Sequence, residues 1–163
     1  MTIEKRIHIW DSTVRVIKGK PIVSGEASGL ALVSNEPLSF WGGYDQNTGE
    51  IIDRRHPLSG QIAAGRVLAI PASRGSSTTT AVLLESVRSG KAPAAIVTDG
   101  VDRFFALASI VAGELYQKPV PIIALSSHDF SLLQNEQWIE VSSNGTLAIK
   151  NGENEKIVDP YGS

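Results

Sequence analysis

The sequence predicts an α/β domain in which parallel strands are joined by helical crossovers. Two observations carry this. Between residues 66 and 125, short apolar runs alternate with two stretches of helical periodicity, a β-α-β-α-β order that implies parallel pairing. The composition is also that of a packed core. Of 163 residues, 42% are hydrophobic and 20% charged, enough apolar material for one globular domain and too much for a disordered chain.

Each element follows in order. Val14 to Ile17, Pro21 to Ser24 and Leu30 to Val33 are short apolar runs that read as strands. Lys18-Gly19-Lys20 and Gly25 to Gly29 read as the turns between them. Residues 38 to 65 are rich in Gly, Asp, Asn and Pro yet contain Phe40, Trp41 and Tyr44. A floppy linker gains little from aromatic side chains, so an ordered loop is expected. "RVLAIPA" (Arg66 to Ala72) has the pattern of a buried strand. Thr78 to Ser89 is helical, with Ala81, Leu84 and Val87 or Arg88 on one face and Gly90 as the stop. "AAIVT" (Ala94 to Thr98) is a strand. Arg103 to Tyr116 is a second helix, with Phe104, Leu107, Val111 and Leu115 on one stripe. "PIIAL" (Pro121 to Leu125) is a third strand. "WIEVSS" and "TLAIK", either side of Asn144-Gly145, form a hairpin. The polar tail from Asn151 is expected to fray. Residues 1–150 then make a single domain and 151–163 a C-terminal tail.

Charge and composition exclude several functions. A formal net charge of -2 offers no surface for nucleic acid or an anionic membrane. No apolar run approaches the roughly 20 residues of a membrane span. The start, "MTIEKRIHIW", lacks the apolar segment of a signal peptide, so a cytoplasmic location is expected. Cysteine is absent, which excludes disulfides, a cysteine nucleophile and any thiolate-held zinc or iron–sulfur centre built by this chain alone. His8, His56 and His128 have no ligand spacing, and no metal site is expected. His56, within "DRRHPLSG", is expected to structure its loop, and Asp45 and Asp53 to form turns.

The stretch with most chemical content is "PASRGSSTTT", Pro71 to Thr80. It lies between a strand and a helix, which argues against a linker. Such a turn exposes backbone N–H groups at the positive end of the helix dipole. Gly75 permits a tight turn and close ligand approach. Ser76 or Ser77 can cap the helix, and that alone would account for the pattern. No Gly-Lys-Ser/Thr follows, so it is not a phosphate-binding Walker loop, and Gly-x-Ser-x-Gly is missing. The alternative is a reactive serine, whose pKa a helix N-terminus, a guanidinium and exclusion of water would all lower. Arg74 can supply that charge or hold a substrate carboxylate in bidentate fashion. Of the threonines, Thr78 lies nearest this site. The Gly42-Gly43 pair offers backbone amides to a ligand or a partner, or else a tight turn.

"GSS" after a strand and opening a helix resembles the Gly-Ser-Ser-Arg-Glu motif of the mobile swivel domain in aconitases and isopropylmalate isomerases, where the first serine is the base. Here Thr78 stands where arginine would follow, and Arg74 precedes the glycine instead. Three blocks together resemble the small subunit, or swivel domain, of the aconitase X family: "FWGGYDQNTGEIIDRRHPLSGQ" (Phe40 to Gln61), "GRVLAIPASRGSST" (Gly65 to Thr78) and "GKAPAAIVT" (Gly90 to Thr98). The likeness covers roughly residues 20 to 130.

The resemblance implies a three-layer swivel domain with parallel β-α-β units and a mixed or partly closed sheet. It implies half an enzyme, a dehydratase in which a separate or fused large subunit carries the iron–sulfur cluster and most substrate contacts. The iron would draw off the leaving hydroxyl as Lewis acid, and Ser76 would take the proton alpha to a carboxylate. Arg74, Gly75, Ser77 and Gly43 would bind the small carboxylate substrate. No metal would be held by this chain, and the assembly would be a heterodimer or larger. Family members include bacterial cis-3-hydroxy-L-proline dehydratases, which yield 1-pyrroline-2-carboxylate, and archaeal mevalonate 5-phosphate dehydratases. The modest charge content favours the bacterial activity. Two other classes compete. "ALASIVAGELYQKPVPII" resembles part of phosphohistidine swivel carriers, but Gly75 to Thr80 contain no histidine. A non-catalytic binding module would need Ser76 to be only a cap.

Overall fold

The computed structural model describes residues 14–75 and 78–151 together with the strands Lys5–Ile9 and Asn154–Val158. The elements in chain order are β1 (Lys5–Ile9), β2 (Val14–Lys18), β3 (Lys20–Val23), β4 (Ala27–Val33), β5 (Val67–Ala69), α1 (Thr78–Arg88), β6 (Ala95–Asp99), α2 (Arg103–Tyr116), β7 (Ile122–Leu125), α3 (Ser127–Ser131), β8 (Trp138–Val141), β9 (Thr146–Lys150) and β10 (Asn154–Val158). No helix among them is long and apolar enough to cross a membrane.

Eight strands form one sheet in the order β2-β9-β8-β4-β5-β6-β7-β3. β4 to β7 pair in parallel, with α1 and α2 as crossovers, as the alternation predicts. The remaining pairings are antiparallel. β2 and β3 are consecutive in the chain but lie at opposite edges, so the sheet curls almost into a barrel. Gly19 makes that corner. Its N–H donates to the Gly145 carbonyl at 3.0 Å, and a Cβ at Gly19 would stand 2.5 Å from the Ile123 side chain. Only glycine lets the two edges meet so closely.

Two cores result. α1, α2 and the loop from Leu38 to Ala63 cover one face of the parallel strands, through residues such as Leu83, Phe105 and Phe40. The curled antiparallel strands and α3 close over the other, through Phe130, Ile139 and Leu147. These are the expected three layers. The loop is ordered as its aromatics predict: Phe40 is fully buried, stacks on Tyr44 at 4.6 Å and meets Phe105 edge-on at 5.0 Å. Burying Phe40 alone contributes about 1.5–3 kcal/mol. The Tyr44 hydroxyl donates to the Lys91 carbonyl at 2.6 Å, and burial pushes its phenol pKa well above the ordinary value. His56 structures the loop. Its Nδ1 accepts the Leu58 N–H at 3.1 Å, leaving Nε2–H to donate to the Glu36 carbonyl at 3.2 Å.

Four local expectations are corrected. The turn expected over Gly25 to Gly29 is partly strand, because Ala27 to Gly29 pair with β8. The tail from Asn151, expected to fray, supplies β10, paired antiparallel with β1. In both cases the partner strand is remote in sequence. On α1 the buried face is Thr79, Val82, Leu83, Ser86 and Val87, turned by one residue from the stripe through Ala81 and Leu84. On α2 the buried face is Phe105, Ala106, Ala108, Ser109 and Ala112. The stripe of Phe104, Leu107 and Leu115 faces outward instead. Small residues let α2 settle closely, and the Ser109 hydroxyl then reaches the Val120 carbonyl. Periodicity locates a stripe but does not say which of two stripes meets the sheet.

A clamped turn as candidate active site

The parallel strands deliver their following segments to one edge of the sheet, where ligand crevices form in α/β folds. The chain leaves β5 through Ile70 to Gly75 toward α1, and leaves β6 through Gly100 to Asp102 into α2. The first segment is held from two sides. Leu38 forms a parallel bridge with Ser73: its N–H donates to the Ala72 carbonyl at 3.3 Å, and its carbonyl accepts the Arg74 N–H at 3.0 Å. Opposite, one Asp102 oxygen accepts both the Ser73 N–H and the Ser73 hydroxyl, each at 2.7 Å. The other oxygen accepts the Phe104 and Phe105 N–H groups, each at 3.0 Å, and so caps α2. Asp102 is buried, and its four donors satisfy it. The two 2.7 Å bonds tie Ser73 to the start of α2.

Arg74 is exposed, and its guanidinium meets no acidic side chain among the described residues. Gly75 has φ +111°, a conformation that favours glycine, and a Cβ there would touch only the Ser39 hydroxyl, at 3.8 Å. Ser76 and Ser77, expected as base and cap, lie outside the described residues. Thr78 is exposed at the start of α1, and the Thr80 hydroxyl donates to the Phe104 carbonyl at 3.4 Å. Thr79 is fully buried, and its hydroxyl has no hydrogen-bond partner among the described residues.

Gly43 is buried within its loop. Its N–H donates to the Phe40 carbonyl at 3.3 Å, its carbonyl accepts the Ile52 N–H at 2.9 Å, and a Cβ would stand 2.1 Å from the Ser39 carbonyl. The Gly43 N–H and carbonyl thus take part in a tight turn. Trp41, beside it, is exposed, and its carbonyl accepts the Ser39 hydroxyl at 3.1 Å. The residue that sequence reasoning missed is Asp102. An aspartate directly before a helical stretch is a cap signal. Its grip on Ser73 is long-range and has no local signature.

A curled, mixed sheet with β-α-β units that presents such a clamped turn defines a swivel-type α/β domain. A family model described as the aconitase X swivel domain matches residues 16–149, and the chain belongs to that family. Aconitase X of Thermococcus kodakaraensis, solved in its holo-form, is similar with a TM-score of 0.75 and 31% identity, over 83% of this chain and 98% of that one. A cis-3-hydroxy-L-proline dehydratase of Pseudomonas aeruginosa is 45% identical over 127 residues, 78% of this chain but 22% of its own. A phosphomevalonate dehydratase small subunit of Thermococcus onnurineus is 37% identical over 131 residues, 80% of this chain and 95% of its own. The chain thus spans less than a quarter of the length of the cis-3-hydroxy-L-proline dehydratases of Pseudomonas aeruginosa and Hypocrea jecorina.

The iron–sulfur cluster associated with the family does not fit the residues here. The chain has no cysteine, and the described residues bring together no group of three His, Asp or Glu that could hold a metal.

Proposed function

We propose that this chain is the swivel part of an aconitase X-type hydro-lyase and works with a larger, cluster-bearing polypeptide. The observation that carries this is the clamped turn: Ser73, tied to Asp102 and Leu38, anchors the segment that Arg74 and Gly75 continue. A base must meet its substrate within about 0.5 Å of the right place, and a rigid support of this kind serves that need. In this reading Ser76 takes the proton from C2 of cis-3-hydroxy-L-proline. The C–H electrons form the C2=C3 bond, the C3–O bond breaks, and hydroxide leaves. The enamine product then tautomerises to 1-pyrroline-2-carboxylate. Arg74 faces the substrate carboxylate, Gly75 lets the backbone come close, and Ser77 caps α1 or donates a hydrogen bond behind the base.

The second reading is the small subunit of a phosphomevalonate dehydratase. It is favoured by one observation: this chain matches 95% of the length of such a subunit. Purified chain and large polypeptide, assayed separately and together on both substrates, decide between them. We expect each alone to be inert, and the pair to dehydrate cis-3-hydroxy-L-proline in preference to mevalonate 5-phosphate. Turnover by this chain alone would overturn the split-enzyme reading. The reverse preference would select the second substrate.

A further inference from the structure

α2 is built inside out. Its buried face is made of alanines, a serine and one phenylalanine, whereas Phe104, Leu107, Ile110 and Leu115 are between 37% and 59% exposed. Val101, just before the helix, is 57% exposed. An ordinary surface helix turns its large apolar side chains to the core and its polar ones to water. An exposed apolar stripe along one helix marks a surface that something covers.

Its position narrows what covers it. The stripe begins at Phe104, whose N–H is held by the carboxylate that clamps Ser73 and whose carbonyl accepts the Thr80 hydroxyl. It therefore starts at the candidate turn and runs away from it. A body that brought substrate to Arg74 and Gly75 would reach α2 on the same approach. The relatives supply such a body: the matched region is 22% and 23% of two dehydratases, and a chain of about this length is called a small subunit in another. We propose that the outer face of α2, from Val101 to Leu115, is the docking surface for the large polypeptide of the enzyme. This rests on the split-enzyme reading above. The contact is apolar: its bordering charges are Arg103 and Glu114, one of each sign, so it gives little electrostatic preference.

The test is a pull-down and titration of the chain with the large polypeptide of its own enzyme. Leu107→Glu/Ile110→Glu places two charges at exposed helical positions where glutamate is a good helix former, so the isolated variant should melt as the wild type does. Its affinity for the large polypeptide should fall by roughly a hundredfold or more, because charges would be buried in an apolar contact. Val16→Glu, at a 63% exposed apolar site on β2, should leave affinity unchanged. Unchanged binding by the double variant, or an equal loss from Val16→Glu, would overturn the proposal. So would a wild-type chain that dimerises alone and becomes monomeric in the double variant, since a second copy would then cover the stripe. If the wild-type chain and the large polypeptide do not associate at all, the split-enzyme reading itself fails.

Discussion

Two turns leave the same edge of the parallel sheet, one after β5 and one after β6. The turn after β6 commits its polar groups to the fold. Asp102 accepts four hydrogen bonds, two from the start of α2 and two from Ser73. The turn after β5 is held against Leu38 at Ser73 and Arg74. The Arg74 guanidinium is exposed, Gly75 takes up a left-handed conformation, and the Thr79 hydroxyl is buried without a partner among the described residues. One turn is a support, and the other keeps polar groups that the fold does not need. Groups left idle by folding are the ones free to meet a ligand, which is the reason for placing the chemistry after Gly75.

The largest effect is expected at Ser76. Ser76→Ala should lower turnover of the assembled enzyme by roughly 10²–10⁴, the usual contribution of a positioned acid–base group, with KM much less affected. Loss of a cap costs only about 0.5–2 kcal/mol, so the melting temperature should move by a few degrees. Near-normal turnover in Ser76→Ala with loss in Ser77→Ala would put the base on the second serine. If neither matters, the two turns do not differ in function and the stretch is a helix cap.

Asp102→Asn attacks the supporting turn. Asparagine caps helices as well as aspartate does, so its oxygen can keep the Phe104 and Phe105 N–H groups. Its amide nitrogen then faces the Ser73 N–H, donor against donor. Ser73 should exchange its amide hydrogen faster while Phe104 and Phe105 stay protected. Turnover should fall by roughly 10–10², with KM held, because small misplacements of a catalytic group are costly. Normal turnover with a loosened Ser73 would reduce Asp102 to a cap alone.

Much of this contrast was visible before the structure. The strand–turn–helix setting of "PASRGSS" follows from apolar runs and a glycine, and the parallel core follows from alternation. What was hidden depends on contacts distant in sequence. Nothing near Asp102 announces Ser73, and nothing near Ala27 announces β8. The outward stripe of α2 was hidden for another reason. Its apolar spacing is truly helical, but the alanine stripe beside it is helical too, and only three-dimensional packing selects between them.

A smaller effect is expected at Arg74. Arg74→Lys keeps the charge but loses the planar fork that matches a carboxylate. With the support intact, KM should rise by roughly tenfold, as for one lost charge-assisted bond of about 1.5 kcal/mol. Ser77→Ala should be milder still, since water can replace a cap in part. An unchanged KM in Arg74→Lys would mean that the guanidinium acts at a distance, or faces something other than the substrate.

The smallest effect, and the only gain, is expected at Thr79. Its hydroxyl is fully buried with no hydrogen-bond partner among the described residues. A polar group buried in that state costs about 1–3 kcal/mol. Valine has nearly the same shape and a similar helix propensity, so Thr79→Val removes the penalty without opening a cavity. The melting temperature of the isolated chain should rise by roughly 2–4 °C for each kcal/mol recovered. A fall would show that the hydroxyl has a bonding partner after all. Turnover of the assembled enzyme sharpens the result. If Thr79 is merely idle, turnover stays within about twofold of wild type. If stability rises while turnover drops, the hydroxyl belongs with the groups this turn holds in reserve, and the contrast with the satisfied Asp102 extends one turn into α1.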